Sequence, residues 1–152
     1  MANVRVDRVN TQFLTGKHQQ NILTMLNAKG KHHLDSYFQY ILRTEKNLLK
    51  YAAVNNKGNV YGFALLKNEP NSRRRKLLLV SAKPGYGSKI MKQIIENGMR
   101  NNRNFINLEA LNQQKLLAFY KNHGFQYKYK NRNNLHHMEK RLPRMAMAMV
   151  KA

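Results

Sequence analysis

Residues 77–95 read LLLVSAKPGYGSKIMKQII, and their period changes in the middle. Leu77 to Val80 is a continuous apolar run, the pattern of a buried strand, whereas Ile90, Met91, Ile94 and Ile95 recur at helical spacing. Gly85-Tyr86-Gly87 stands between them. A strand that ends in Gly-x-Gly and opens a helix leaves several backbone N–H groups unpaired, where the helix macrodipole is positive. Such a turn can seat an anion. Gly85 and Gly87 let a phosphate approach the main chain, Lys83 and Lys89 add charge, and each charge-assisted hydrogen bond contributes about 1.5–3 kcal/mol. The same glycines also suit a plain tight turn. Two nucleotide motifs fail by spacing: GxxxxGK[ST] is absent, and Ile90 stands where GxGxxG needs its third glycine.

Outward from this stretch the elements alternate. Val4, Val6 and Val9 suggest a first strand; Leu14, His18, Ile22, Met25 and Leu26 form one helical face that ends near Gly30. Leu34, Tyr37, Phe38, Ile41 and Leu42 mark a second helix that stops before Asn47. Leu48 to Val54 and Val60 to Lys67 read as strands around the loop Asn55-Asn56-Lys57-Gly58-Asn59. Strand 75–81, helix 88–99, strand 105–111 and helix 112–123 follow, the last closed by Gly124 as a C′ residue. Phe125 to Lys130 begins a late strand paired with Leu135 to Leu142. Residues 1–144 are expected to form one domain, with 145–152 a tail.

Composition bounds the function. Among 152 residues there is no cysteine, which excludes disulfides, thiolate metal sites and cysteine nucleophiles. No apolar run approaches a membrane span and the N-terminus has no signal-like segment, so the expected location is intracellular, with no membrane partner. Twenty-eight Lys and Arg against seven Asp and Glu give a net charge of +21. That field attracts polyanions, either nucleic acid or an acidic protein surface. The candidate contacts are Arg73, Arg74, Arg75 and Lys76, and Lys128, Lys130 and Arg132. No helix-turn-helix, zinc finger or RNP signature accompanies them. His32-His33 and His136-His137 lack nearby ligands at metal spacing, so no metal is assigned.

About thirty residues after the glycine turn comes INLEALNQQKLLAFYKNHGF, a strand and a helix ending in Phe119-Tyr120-Lys121-Asn122-His123-Gly124-Phe125. The run from Tyr61 to Phe125 resembles the GNAT superfamily of acetyl-CoA-dependent N-acetyltransferases, with a fainter similarity to small GNAT-like proteins of large DNA viruses. The resemblance implies an α/β (α+β) fold: a mixed central sheet flanked by helices, with Leu77 to Ala82 and Phe105 to Ala110 as parallel strands that splay apart. It implies acetyl-CoA as cofactor, bound through Val80, Ala82, Lys83, Gly85, Tyr86, Gly87, Ser88 and Lys89. It places Tyr120 at the tyrosine that protonates the departing thiolate.

The incoming amine must also lose a proton, which costs about 4–5 kcal/mol for a lysine-like amine at pH 7. Many family members carry a glutamate on the central strand; Leu77 to Val80 has none, and Glu109 is the acidic residue left near the splay. Its two readings are catalytic base and salt bridge to a neighbouring cation. His123 likewise reads as proton relay or helix cap. Two departures weaken the match: Ala82 stands where the loop pattern wants Gln or Arg, and Pro84 removes one N–H. The expectation is acetyl transfer to an uncharged, anionic or nucleic-acid-associated amine, because a +21 surface repels cationic acceptors. The alternative is a catalytically degenerate fold serving as a basic component of a virion or ribonucleoprotein assembly.

Overall fold

The computed structural model describes residues 4–9, 16–28, 32–55 and 57–143. Their order is β1 (Val4–Val9), α1 (Gly16–Ala28), α2 (His32–Thr44), β2 (Leu49–Asn55), β3 (Val60–Asn68), β4 (Arg74–Ala82), α3 (Gly87–Arg100), β5 (Phe105–Ala110), α4 (Gln114–Asn122), β6 (Gln126–Lys130) and β7 (His136–Arg141). The strand order is β1-β2-β3-β4-β5-β7-β6. β4 and β5 run parallel, while β1–β2, β2–β3, β5–β7 and β6–β7 are antiparallel, so the sheet is mixed. Leu14, the stop near Gly30 and the tail 145–152 lie outside the described residues. No helix among the described residues is long and apolar enough to cross a membrane.

The chain divides into two compact units, residues 1–66 with 79–90, and residues 67–78 with 91–152. In the first, Ile22, Met25 and Leu26 of α1, Phe38 and Ile41 of α2, and Tyr51, Phe63, Leu65 and Leu66 of β2 and β3 are buried. Phe38 meets Phe63 edge-on at 5.3 Å, and each fully buried side chain of this size stabilises by roughly 1.5–3 kcal/mol. The β2–β3 loop turns where expected. Gly58 takes φ +82°, and Asn55 Oδ1 accepts from the Lys57 and Asn59 amides. Gly62 is there for space: a Cβ on it would lie 2.6 Å from Ile90 Cδ1 and 2.8 Å from Ala82 Cβ. Its absence lets the end of β4 and the first turn of α3 close on β3.

In the second unit Leu77, Met91, Ile94, Ile106, Leu108, Phe125, Met138 and Leu142 form the core. Two sequence expectations are corrected here. Leu77 to Val80 is not buried on both faces: Arg75, Leu77 and Leu79 are buried, whereas Lys76, Leu78 and Val80 are only half-buried, the alternation of a strand with one covered face. Helix α4 starts at Gln114, not Asn112, because Gln113 is extended at φ −124° and serves as N-cap.

Candidate functional site

The first candidate group is the loop between β4 and α3, inside the first unit. Gly85 takes φ +88°, a conformation only glycine adopts without strain, and a Cβ there would meet nothing within 4 Å. Gly85 thus serves the turn, and the space above it is open. The backbone donors are fewer than the sequence suggests. The Lys83 amide donates to the Tyr61 carbonyl at 2.8 Å, the Tyr86 amide donates to the Lys83 carbonyl at 3.1 Å, and Pro84 has no N–H. Tyr86 is therefore corrected as a main-chain donor, and Lys83 contributes its side-chain charge alone. The amides of Gly85, Gly87 and Lys89 form no hydrogen bond among the described residues.

Side chains add charge at the same place. Lys83 Nζ lies 5.0 Å from the Tyr61 ring centroid and Lys89 Nζ 5.4 Å from that of Tyr86, while the two rings pack at 5.0 Å. Each ammonium is held over an aromatic face beside the free amides. Tyr61 was missed in the sequence. Its ring and carbonyl reach the loop only because β3 runs beside the end of β4, which no local motif announces. Val80 and Ala82 are half-buried, and Ala82 Cβ fills the space left by Gly62.

The second group lies in the second unit. The parallel ladder of β4 with β5 runs from Arg74–Phe105 to Lys76–Asn107 and, among the described residues, goes no further. Beyond it Leu108 to Ala110 pair only on their other side, with β7. Tyr120 is held at the end of α4 by a Schellman motif: the Phe125 amide donates to the Tyr120 carbonyl and the Gly124 amide to that of Lys121, with Gly124 at φ +91°. The Tyr120 and Phe125 rings complete it, edge to face at 5.8 Å. Tyr120 is 6% exposed, and burial pushes its hydroxyl up to about 12.

Glu109 is exposed and already engaged: Lys76 Nζ lies 3.5 Å from Oε1, and Asn131 Nδ2 donates to Oε2 at 3.0 Å. His123 is the C-cap of α4, its imidazole held below the usual range by burial and then by Lys92 and Lys140. Among the described residues no three side chains gather as metal ligands.

The proposed basic run 73–76 does not act as one surface. Arg75 is 1% exposed and donates to Asn68 Oδ1 and Asn97 Oδ1, so its assignment to polyanion contact is corrected. Strand alternation turned it inward. Arg74 pairs with Glu139 and stacks over Phe105, Lys76 pairs with Glu109, and Arg73 stays exposed. Lys128, Lys130 and Arg132 are exposed.

This architecture is the GNAT fold. No family model matches the sequence, and no curated protein matches it. Solved structures do. A GNAT-family acetyltransferase from Staphylococcus aureus is 18% identical, with 93% of this chain and all of that chain covered at TM-score 0.70. Tetrahymena GCN5 is 13% identical, with 91% and 96% covered at TM-score 0.76. N-acetylglutamate synthase from Neisseria gonorrhoeae, solved with coenzyme A and N-acetyl-glutamate, is 19% identical over 95% of this chain and 36% of its own, at TM-score 0.63.

Proposed function

We propose that this protein transfers an acetyl group from acetyl-CoA to an amine. The observation that carries the reading is the loop after β4, where among the described residues the Gly85, Gly87 and Lys89 amides form no hydrogen bond beside the Lys83 and Lys89 side chains, in a fold shared with a GNAT-family acetyltransferase. The residues suit a diphosphate: three main-chain donors at a helix N-terminus, two ammonium groups, and open space over Gly85. Leu77 and Leu78, whose main chain is unpaired with β5 after Lys76, would be available to hydrogen-bond an acyl-bearing arm.

Tyr120 would act as a hydrogen-bond donor to the leaving thiolate. With its own value near 12, it keeps its proton throughout the physiological range. Complete transfer to a thiolate of ordinary pKa, about 8.5, is uphill by about 5 kcal/mol, so stabilisation by a retained hydrogen bond wins over outright protonation. Glu109, held by Lys76 on one carboxylate oxygen and by Asn131 on the other, would have a lone pair left on each to take the amine's proton.

Calorimetry with acetyl-CoA tests the reading, with Gly87→Glu as the control that fills the cradle with an anion. Saturable heat from the native chain and none from the variant is expected. Absence of heat from the native chain at tens of micromolar ligand would remove the acetyl-transfer reading. The net charge of +21 favours a second reading, a basic component that binds polyanions, and a near-zero slope of log affinity against log salt on duplex DNA would dispose of it.

A further inference from the structure

Strand β6 reads Gln126-Tyr127-Lys128-Tyr129-Lys130, lies at the edge of the sheet and is exposed at every residue. An edge strand carries lysine to deter pairing with another chain, which accounts for Lys128 and Lys130 but not for two large rings, Tyr127 and Tyr129, left 48% and 54% exposed. The pairing with β7 shows how they are held. Tyr127 lies opposite Met138 and Tyr129 opposite His137, so a bulge at Lys128 takes up the extra residue. Met138 and His137 are adjacent and point to opposite faces; without the bulge both tyrosines would share the face of Met138. Instead Tyr129 is turned to the His137 face and stacks on that imidazole, with 4.7 Å between centroids and 9° between planes. Tyr127, on the other face, leans on His136 at 5.2 Å and 59°.

The Tyr129 ring is thus fixed by a flat partner on one side and open on the other, and because His137 is half-buried the tyrosine is the outer member of the stack. Positive charge surrounds it. Residues 126–134 hold Lys128, Lys130 and Arg132, all exposed, and no carboxylate. Two carboxylates share the His137 face, but Glu109 is engaged by Lys76 and Asn131, and Glu139 by Arg74. We propose that Tyr129 stacked on His137 is a platform for a base of single-stranded nucleic acid, with Lys128, Lys130 and Arg132 contacting the neighbouring phosphates. A single strand offers flat π-faces joined by a row of negative charges, the chemistry that one open ring flanked by cations recognises. In a duplex each base face is covered by the next base, so a duplex would meet the cations alone. An acidic protein surface likewise has no use for the ring. The proposal rests on the polyanion reading, to which it gives a specific ligand, and is independent of acetyl transfer.

Fluorescein-labelled oligothymidylate or oligouridylate about 12 nucleotides long should show saturable anisotropy with the full chain, and bind more tightly than a duplex of equal charge. Tyr129→Ala should weaken single-strand binding at least about fivefold and leave duplex affinity within about twofold, with the circular dichroism spectrum unchanged. Tyr129→Phe, which keeps the ring, should bind as the native chain does, and so should Tyr127→Ala, altered on the opposite face. The chain has no tryptophan, so stacking is also read as quenching of tyrosine emission that Tyr129→Phe diminishes. Replacing Lys128 and Lys130 together with alanine should weaken both ligands and flatten the salt slope on the single strand by roughly 1–1.5. Equal single-strand affinity of native protein and Tyr129→Ala overturns the platform; a steep salt slope on duplex would then leave the bare polyanion reading standing without it. Polyglutamate that displaces the oligonucleotide as well as unlabelled oligonucleotide does assigns the surface to an acidic protein and overturns it too. Saturable acetyl-CoA binding with no oligonucleotide bound sinks the platform and leaves acetyl transfer intact.

Discussion

Tyr120 shows how one residue carries two burdens. Its carbonyl closes the Schellman motif and its ring packs on Phe125, so the position is structural whatever the hydroxyl does. Tyr120→Phe keeps both contacts; it should lower turnover about tenfold to a hundredfold while acetyl-CoA affinity stays within about twofold, and equal loss of both would make the hydroxyl structural. The hydroxyl also has a stability signature. Burial raises its folded value to about 12 from an ordinary 10, so its contribution is full below pH 10 and is lost as pH rises through 12. Two units correspond to about 2–3 kcal/mol, readable as denaturant midpoints falling between pH 10 and 12 in the native protein but less in Tyr120→Phe. Arg75 makes a parallel case: Arg75→Ala should destabilise by about 1–3 kcal/mol, because it strips the Asn68 and Asn97 acceptors of a buried donor.

At the scale of elements, glycines decide how neighbours close. Gly62→Ala would drive a methyl group into Ala82, whose Cβ and backbone cannot swing away as the end of Ile90 can. A cost of about 1–3 kcal/mol is expected, read as a lower thermal midpoint together with weaker acetyl-CoA binding, since Ala82 leads into the loop. Gly124→Ala acts differently. Its neighbour is the flexible Lys140 ammonium, which can move, so the cost of about 1–2 kcal/mol comes from φ +91° and should appear as fraying of α4 in hydrogen exchange. Helix α3, whose Ile90 lies beside Gly62, was readable from the helical spacing of Ile90, Met91, Ile94 and Ile95, and the C′ role of Gly124 followed from FYKNHGF. The limits of α4 were not, since Gln113 caps it without a side-chain hydrogen bond and offers no capping signature.

At the scale of the whole chain, if the charge of +21 binds polyanions that binding is expected to be salt-dependent, and Lys128, Lys130 and Arg132 are exposed on or beside β6. Replacing all three with alanine should flatten the log–log salt slope on nonspecific duplex by roughly 2–3, one contact for each charge removed. The sequence alone determined the order of strands and helices, the glycine turn after β4 and the basic balance, because each depends on residues within a turn or two, or on composition. Only the tertiary structure decided that β7 lies between β5 and β6, that among the described residues the β4–β5 ladder stops after Lys76, that Lys83 gives its amide to Tyr61, and that Arg75 turns inward. The reason is physical: a backbone amide or a charge takes as partner whatever distant segment packs against it, and that segment lies tens of residues beyond the reach of local periodicity.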